Sequence, residues 1–129
     1  MVKDDIYFIA NFVKNETLEN GGSTFSLKDG NMVGKEYYAV SDNKKKEVVL
    51  KLEKFDEYSV IQFIEANYEI LQNPDYSLGT WISGDLVYLD ISRTVTGIEN
   101  ALDIARRNNQ EAIFNLYNLE EIKVEESGD

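Results

Sequence analysis

Leu78 to Leu116 reads LGTWISGDLVYLDISRTVTGIENALDIARRNNQEAIFNL, and how this stretch folds decides how the rest must fold around it. From Leu86 to Ser92, the apolar residues Val87, Leu89 and Ile91 alternate with Leu86, Tyr88, Asp90 and Ser92. A period of two in a run rich in β-branched and aromatic side chains predicts a strand. Gly79 to Ile82, which includes the lone Trp81, predicts the strand before it, and Ser83-Gly84-Asp85 supplies the glycine of a tight hairpin turn. Thr96-Gly97-Ile98-Glu99 fits a capping box, with the Thr96 hydroxyl taking one free helix N–H and Glu99 reaching back to another. Ile98, Ala101, Leu102 and Ala105 then form an apolar stripe. Arg106 and Arg107 complement the helix dipole in its last turn, and Asn108 or Asn109 suits a left-handed cap. Ala112 to Leu116 resumes the strand pattern. A helix of this length can carry a parallel crossover, so the last strand is expected beside one of the first two.

Moving toward the N-terminus, Asp56 to Gln72 predicts a helix, with Asp56 as N-cap, Phe55 packing on Val60 as a staple and Pro74 just past the end. Ile61, Ile64, Tyr68 and Leu71 give its buried stripe, widened by Val60 and Phe63. Three strands precede it: one from Phe25 and Leu27, one over Tyr37 to Ser41, and one over Glu47 to Glu53. In the last of these Val48, Leu50 and Leu52 alternate with Glu47, Lys51 and Glu53, as a sheet with one wet face requires. Lys28-Asp29-Gly30-Asn31 and Asp42-Asn43-Lys44-Lys45-Lys46 are the turns between them. Ile6, Ile9, Phe12 and Val13 recur at near-helical spacing behind Asp4 and Asp5, and a short strand over Ile6 to Ile9 is the competing reading. Asn20-Gly21-Gly22-Ser23 is a flexible joint. Ile122 and Val124 fit a short strand before the acidic end.

The expected order is (α)βββ-α-ββ-α-β. That is a single α+β domain, with a mixed, mainly antiparallel sheet of about five or six strands and two helices on one face. Residues 1–22 read as a helical N-terminal arm, 23–124 as the domain and 125–129 as an acidic tail.

Composition narrows the chemistry. There is no cysteine and no histidine, which removes thiolate metal sites, disulfides, the cysteine nucleophile and the commonest general base. The start, Met1-Val2-Lys3-Asp4-Asp5, is acidic where a secretory signal is basic, and no long apolar run follows. The expectation is a cytoplasmic protein with no membrane contact. The net charge of −11 resides entirely in one half. Residues 1–54 carry nine basic and nine acidic side chains, whereas residues 55–129 carry four basic and fifteen acidic ones. Such a balance argues against direct binding of nucleic acid, whose phosphates need Lys and Arg.

A metal site here would have to be built from carboxylates. Asp90 and Asp85 on the central hairpin are its candidates, with Glu99 and Asp103 on the helix that follows. Local jobs explain most of them: Glu99 in the cap, Asp85 in the turn, Asp103 on the polar face. Asp90, within a strand, has no local explanation beyond a half-exposed polar face shared with Tyr88 and Ser92. Ser83 and Ser92 have no histidine to activate them, and no glycine-rich phosphate loop opens a helix. No catalytic residue and no cofactor is expected.

The acidic residues Asp56, Glu57, Glu65, Glu69 and Asp75 instead suggest a surface that meets a basic partner. Glu65 and Glu69 are like charges at i, i+4 toward a helix C-terminus, where the dipole also disfavours them. Solubility alone accounts for many acidic surfaces. Tyr58, Tyr76 and Tyr88 add aromatic contact area of the kind protein interfaces favour.

Leu78-Gly79-Thr80-Trp81, Val87-Tyr88-Leu89-Asp90-Ile91-Ser92, Ala101-Leu102 with Ala105-Arg106, and Asn109-Gln110 with Ala112-Ile113 form a pattern joined by Tyr38-Ala39-Val40-Ser41. It resembles small proteins encoded by bacteriophages and integrated mobile elements, over roughly Phe25 to Ile122. The resemblance implies an accessory gene product acting inside a bacterial host cell, and carries over no functional residue. Small acidic proteins of such origin often block host machinery, restriction and CRISPR enzymes included. The expectation is a non-enzymatic protein that binds and inhibits a host protein with a basic surface, with mimicry of nucleic acid as one route. A carboxylate-dependent metal-binding protein or enzyme centred on Asp90, and a passive self-associating module, are the alternatives.

Overall fold

The computed structural model describes residues 3–42 and 46–124, with side chains from residue 5 onward; the acidic tail 125–129 and the middle of the Asp42–Lys46 turn lie outside the described residues. Among the described residues the fold is α+β, a half-barrel of eight antiparallel strands with four α-helices.

The hairpin at its centre forms as the alternation predicts. Strand β5 (Tyr76–Ser83) pairs with β6 (Leu86–Val95) along its whole length, from Tyr76 opposite Arg93 to Ser83 opposite Leu86. Gly84 takes a φ of 61° at the first central position of the two-residue turn, a conformation open to glycine without strain. The other edge of β6 is divided. Its C-terminal half pairs with β3 (Tyr38–Ser41) and its N-terminal half with β4 (Val48–Lys51). Outside β5 lie β1 (Gly22–Ser26) and the short β2 (Gly30–Asn31); outside β3 lie β7 (Ala112–Asn115) and β8 (Glu120–Lys123).

The predicted mixed sheet of about five or six strands is therefore corrected to eight strands with every described pairing antiparallel. Helix α4 (Ile98–Arg107) does carry a crossover from β6 to β7, but β7 pairs with β3 rather than with β5 or β6. Strand β3 is inserted between the two crossover strands, antiparallel to both, so β6 and β7 run in the same direction without touching. Nothing local in Ala112–Leu116 specifies which edge it meets.

The main core lies on one face of the sheet. Val87, Leu89, Ile91 and Leu78 are buried there against Val60, Phe63, Ile64 and Leu71 of α2 (Glu57–Ala66) and α3 (Tyr68–Leu71). Helix α4 seals the continuation of that face, burying Ala101, Ile104 and Ala105 against Val40, Val95 and Ile113. Asp56 caps α2 in a reciprocal box with Ser59, and Phe55 joins Val60 in the core. The predicted single helix over 56–72 breaks at Asn67, whose buried side-chain amide donates to the Phe63 carbonyl at 2.9 Å. The predicted capping box at Thr96 does not form. Gly97 is the N-cap of α4, with φ 83° and no side-chain cap, because the chain turns there from strand into helix through a conformation open to glycine. At the other end Asn109 takes the left-handed φ of 57° as expected.

Residues 3–20, read from sequence as part of an arm, form helix α1 (Lys3–Asn20), and its Ile9, Ala10 and Val13 are buried in the main core. A buried chain of hydroxyls fixes its end: Thr17 Oγ1 lies 2.6 Å from Thr80 Oγ1, which lies 2.6 Å from Ser23 Oγ. The glycine pair after the helix serves as a tight reversal, with Gly21 at φ 85°, rather than as a hinge to a detached segment.

Candidate functional site

The acidic residues fall on the helical side. Asp56 is exposed but occupied: its carboxylate accepts from the Ser59 backbone N–H at 3.0 Å and the Ser59 hydroxyl at 3.1 Å. The Ser59 backbone hydrogen bond is the main cause holding its pKa below the usual value. Glu57 pairs with Lys14 of α1 at 3.5 Å, the one ion pair among the described residues. Glu65, Glu69 and Asp75 are exposed. Glu65 lies in α2 and Glu69 in α3, so the break at Asn67 separates the two like charges.

The three tyrosines do not converge. Tyr58 sits beside Asp56 and Glu57 and is 59% exposed, so it belongs to the acidic surface. Tyr76 is half-buried against the main core. Tyr88 points to the opposite face of the sheet, where it stacks on Trp81. The remaining tyrosine grouping is an open cavity of about 440 Å³ lined by Tyr37, Tyr38 and Tyr117 with Glu36 and the start of α4.

That opposite face holds what the sequence reading missed. In-register pairing aligns Ser77 with Ser92 and Ser92 with Ser41 across β5, β6 and β3, and the β1–β5 register brings Ser26 to the same level. One step along, Thr24, Gly79 and Asp90 are aligned; one step further, Gly22, Trp81, Tyr88 and Val49. The middle of this face is thus small and polar. The segment from Met32 to Tyr37 closes its far end through bonds from Met32 N–H to the Thr24 carbonyl (2.9 Å) and from Gly34 N–H to the Leu116 carbonyl (2.8 Å). Met32, Ala39 and Leu116 are buried together there.

Asp90 is 6% exposed, which corrects the expectation of a half-exposed polar face. Ser92 Oγ donates to its Oδ1 at 3.0 Å and Ser41 Oγ to its Oδ2 at 3.2 Å. Its carboxylate lies directly over Gly79, where any Cβ would collide with Asp90 Oδ1 and come within 2.8 Å of Ser92 Oγ. Burial pushes the pKa up to about 6; the two hydroxyls pull the other way, and the charge of Glu47 adds to the rise. Ser77 Oγ, fully buried, has no hydrogen-bond partner among the described residues.

Asp85 is exposed at the hairpin tip, about 16 Å along the strand from Asp90, and the two carboxylates do not share a site. Among the described residues no group of three or more acidic side chains could hold a metal. The Ser92–Asp90 pair has the spacing of a nucleophile and its base, but both residues are 6% exposed, too little surface for a substrate to meet. The signal for this cluster was in the sequence as small polar residues two apart: Thr24 and Ser26, Ser77 and Gly79, Asp90 and Ser92.

No helix of the described residues is long and apolar enough to cross a membrane. A comparison of the chain with protein-family models, with curated proteins and with solved structures finds no match in any of the three.

Proposed function

We propose that this chain is a binding protein that engages a basic surface of a partner protein through the α2–α3 side of the molecule. The observation that carries this reading is the lack of internal neutralisation: the sequence holds 24 acidic and 13 basic residues, yet one ion pair, Lys14–Glu57, occurs among the described residues. Glu65, Glu69 and Asp75 are exposed in a stretch, Phe55 to Ser92, that contains no basic residue. Uncompensated charge of one sign raises association rates with a surface of the other sign and weakens with salt. Tyr58, exposed beside Asp56, supplies apolar contact area to the same surface. Self-association is opposed by the net charge of −11.

On the resemblance to phage and mobile-element proteins, the partner is a host protein that ordinarily holds nucleic acid, and the exposed carboxylates stand in for phosphates. A pull-down from bacterial lysate, washed at low and then high salt, tests this against the variant carrying Glu65→Lys and Glu69→Lys. The expected result is a nucleic-acid-handling protein that elutes with salt and is lost in the variant. Capture that survives both salt and charge reversal would sink the electrostatic reading.

A further inference from the structure

Strand β4 pairs with β6 on one side and, among the described residues, with no strand on the other. The register shows which of its backbone groups face outward. Ser83 and Leu86 close the β5–β6 turn and exchange bonds, so Val87, Leu89 and Ile91 direct their N–H and C=O groups to the other edge of β6. The bond from Asp42 N–H to the Ile91 carbonyl, at 2.9 Å, agrees. Val48 and Leu50, opposite Leu89 and Val87, therefore point inward, as does Leu52, whose N–H reaches the Asp85 carbonyl at 2.8 Å. Val49 and Lys51 alternate with them, and their N–H and C=O groups point away from the sheet.

The edges of β2 and β8 are unlike this one. Strand β2 is two residues long, and β8 exposes Glu120 and Glu121. Strand β4 instead exposes apolar side chains on both faces, Val48 at 38% and Val49 at 45%. Val49 stands in one row with Tyr88 and Trp81, so a strand added beside β4 extends that row by one residue. Three exposed lysines, Lys46, Lys51 and Lys54, bracket the valines, against one exposed acid, Glu53; Glu47 is half-buried. In a chain with 24 acidic residues, none of these lysines has an ion-pair partner among the described residues.

We propose that the outer edge of β4 takes up an extended acidic segment of a partner protein as an additional strand. An open edge binds such a segment through main-chain bonds, and the flanking side chains select which segment it is. Here Val49 and Lys51 supply the outward donors and acceptors, and Val48 and Val49 supply apolar contact on the two faces. The lysines at either end select acidic side chains over basic ones. A second copy of this chain brings the same lysines to the edge, which disfavours it as the occupant. The contact is opposite in sign to the one proposed for α2 and α3, and does not depend on it.

The probe is a short synthetic peptide alternating glutamate with valine, added to the full chain at neutral pH and followed by amide exchange. In the free chain the Val49 and Lys51 amides should exchange fast and those of Val48 and Leu50 slowly. Saturating peptide should raise protection of the Val49 and Lys51 amides at least about ten-fold. Lys51→Glu should weaken binding about five-fold. Val49→Pro removes one outward N–H, leaves the bonds to β6 in place and should abolish the gain in protection at Lys51. The same peptide N-methylated throughout keeps its charge but cannot pair, and should not bind. Equal binding by the methylated peptide would overturn the proposal, because charge alone then accounts for the contact. So would a peptide that protects neither amide, or a free chain that sediments as a dimer with both amides already protected, the result expected if a second copy holds the edge. Should Val49→Pro fail to fold, Lys51→Glu and the methylated peptide decide the matter.

Discussion

Trp81 and Tyr88 stack across the β5–β6 ladder, with ring centroids 4.2 Å apart and ring planes 7° from parallel. Trp81 remains 44% exposed, so one side of the pair rests on the sheet and the other meets solvent. As the only tryptophan, it reports on this face without interference. Tyr88→Ala should shift its fluorescence to the red and cost about 0.5–1.5 kcal/mol beyond the lost area, measured by urea denaturation.

Gly79 has no room for a side chain. Gly79→Ala drives a methyl group into the Asp90 carboxylate and the Ser92 hydroxyl, and should cost about 1–3 kcal/mol. Adding Asp90→Ala to that variant should recover part of the loss. A double-mutant cycle checks the coupling; strict additivity would show that the two positions do not contact.

The proton on Asp90 also makes a prediction about stability. Its folded pKa is raised from 3.8 to about 6, so the folded chain keeps this proton where the unfolded chain has released it. Stability must therefore fall as pH rises from about 4 to about 6, and stay lower above that. Asp90→Asn should remove this slope and stabilise the protein near neutral pH by about 1–3 kcal/mol, measured by denaturant titration at several pH values.

If α1 were a detached arm, its apolar residues would contribute little. Val13 is fully buried in the main core, so Val13→Ala should cost about 1.5–3 kcal/mol of global stability in a single cooperative transition. An unchanged midpoint would mean that the helix does not dock.

Glu65→Lys and Glu69→Lys should leave folding stability within about 0.5 kcal/mol of the wild type, because both side chains are exposed and unpaired among the described residues. Thermal melting of the double variant separates loss of partner binding from loss of structure.

The elements that could be read from sequence were those specified locally. Val87, Leu89 and Ile91 announce a strand by alternation, Gly84 its turn, and the Phe55–Asp56–Val60 arrangement the start of a helix. What could not be read was partnership. No residue of Ala112–Asn115 states that it will meet β3, and no residue of Val48–Lys51 states that it will share an edge of β6 with β3. The burial of Asp90 was missed for the same reason. Alternation marks its face as polar, and polar usually means wet; here strands distant in sequence bring Ser41 and Gly79 against it. The hydroxyl chain of Thr17, Thr80 and Ser23 likewise exists only once α1 is docked.

The insertion of β3 between β6 and β7 has a consequence for how the molecule is made. Tyr38 finds its partners at Val95 and Asn115, β4 pairs with β6, and β1 pairs with β5 beyond its short ladder with β2, so β1, β3 and β4 emerge from the ribosome long before these distant partners. Pairings this distant in sequence make folding slow and leave strand edges open in the interval. Lys46, Lys51 and Lys54, exposed beside and along β4, place positive charge on such an edge, where it discourages pairing with another nascent chain. The basic residues of the first half then serve the newborn protein as much as the finished one, guarding the sheet until its last third arrives.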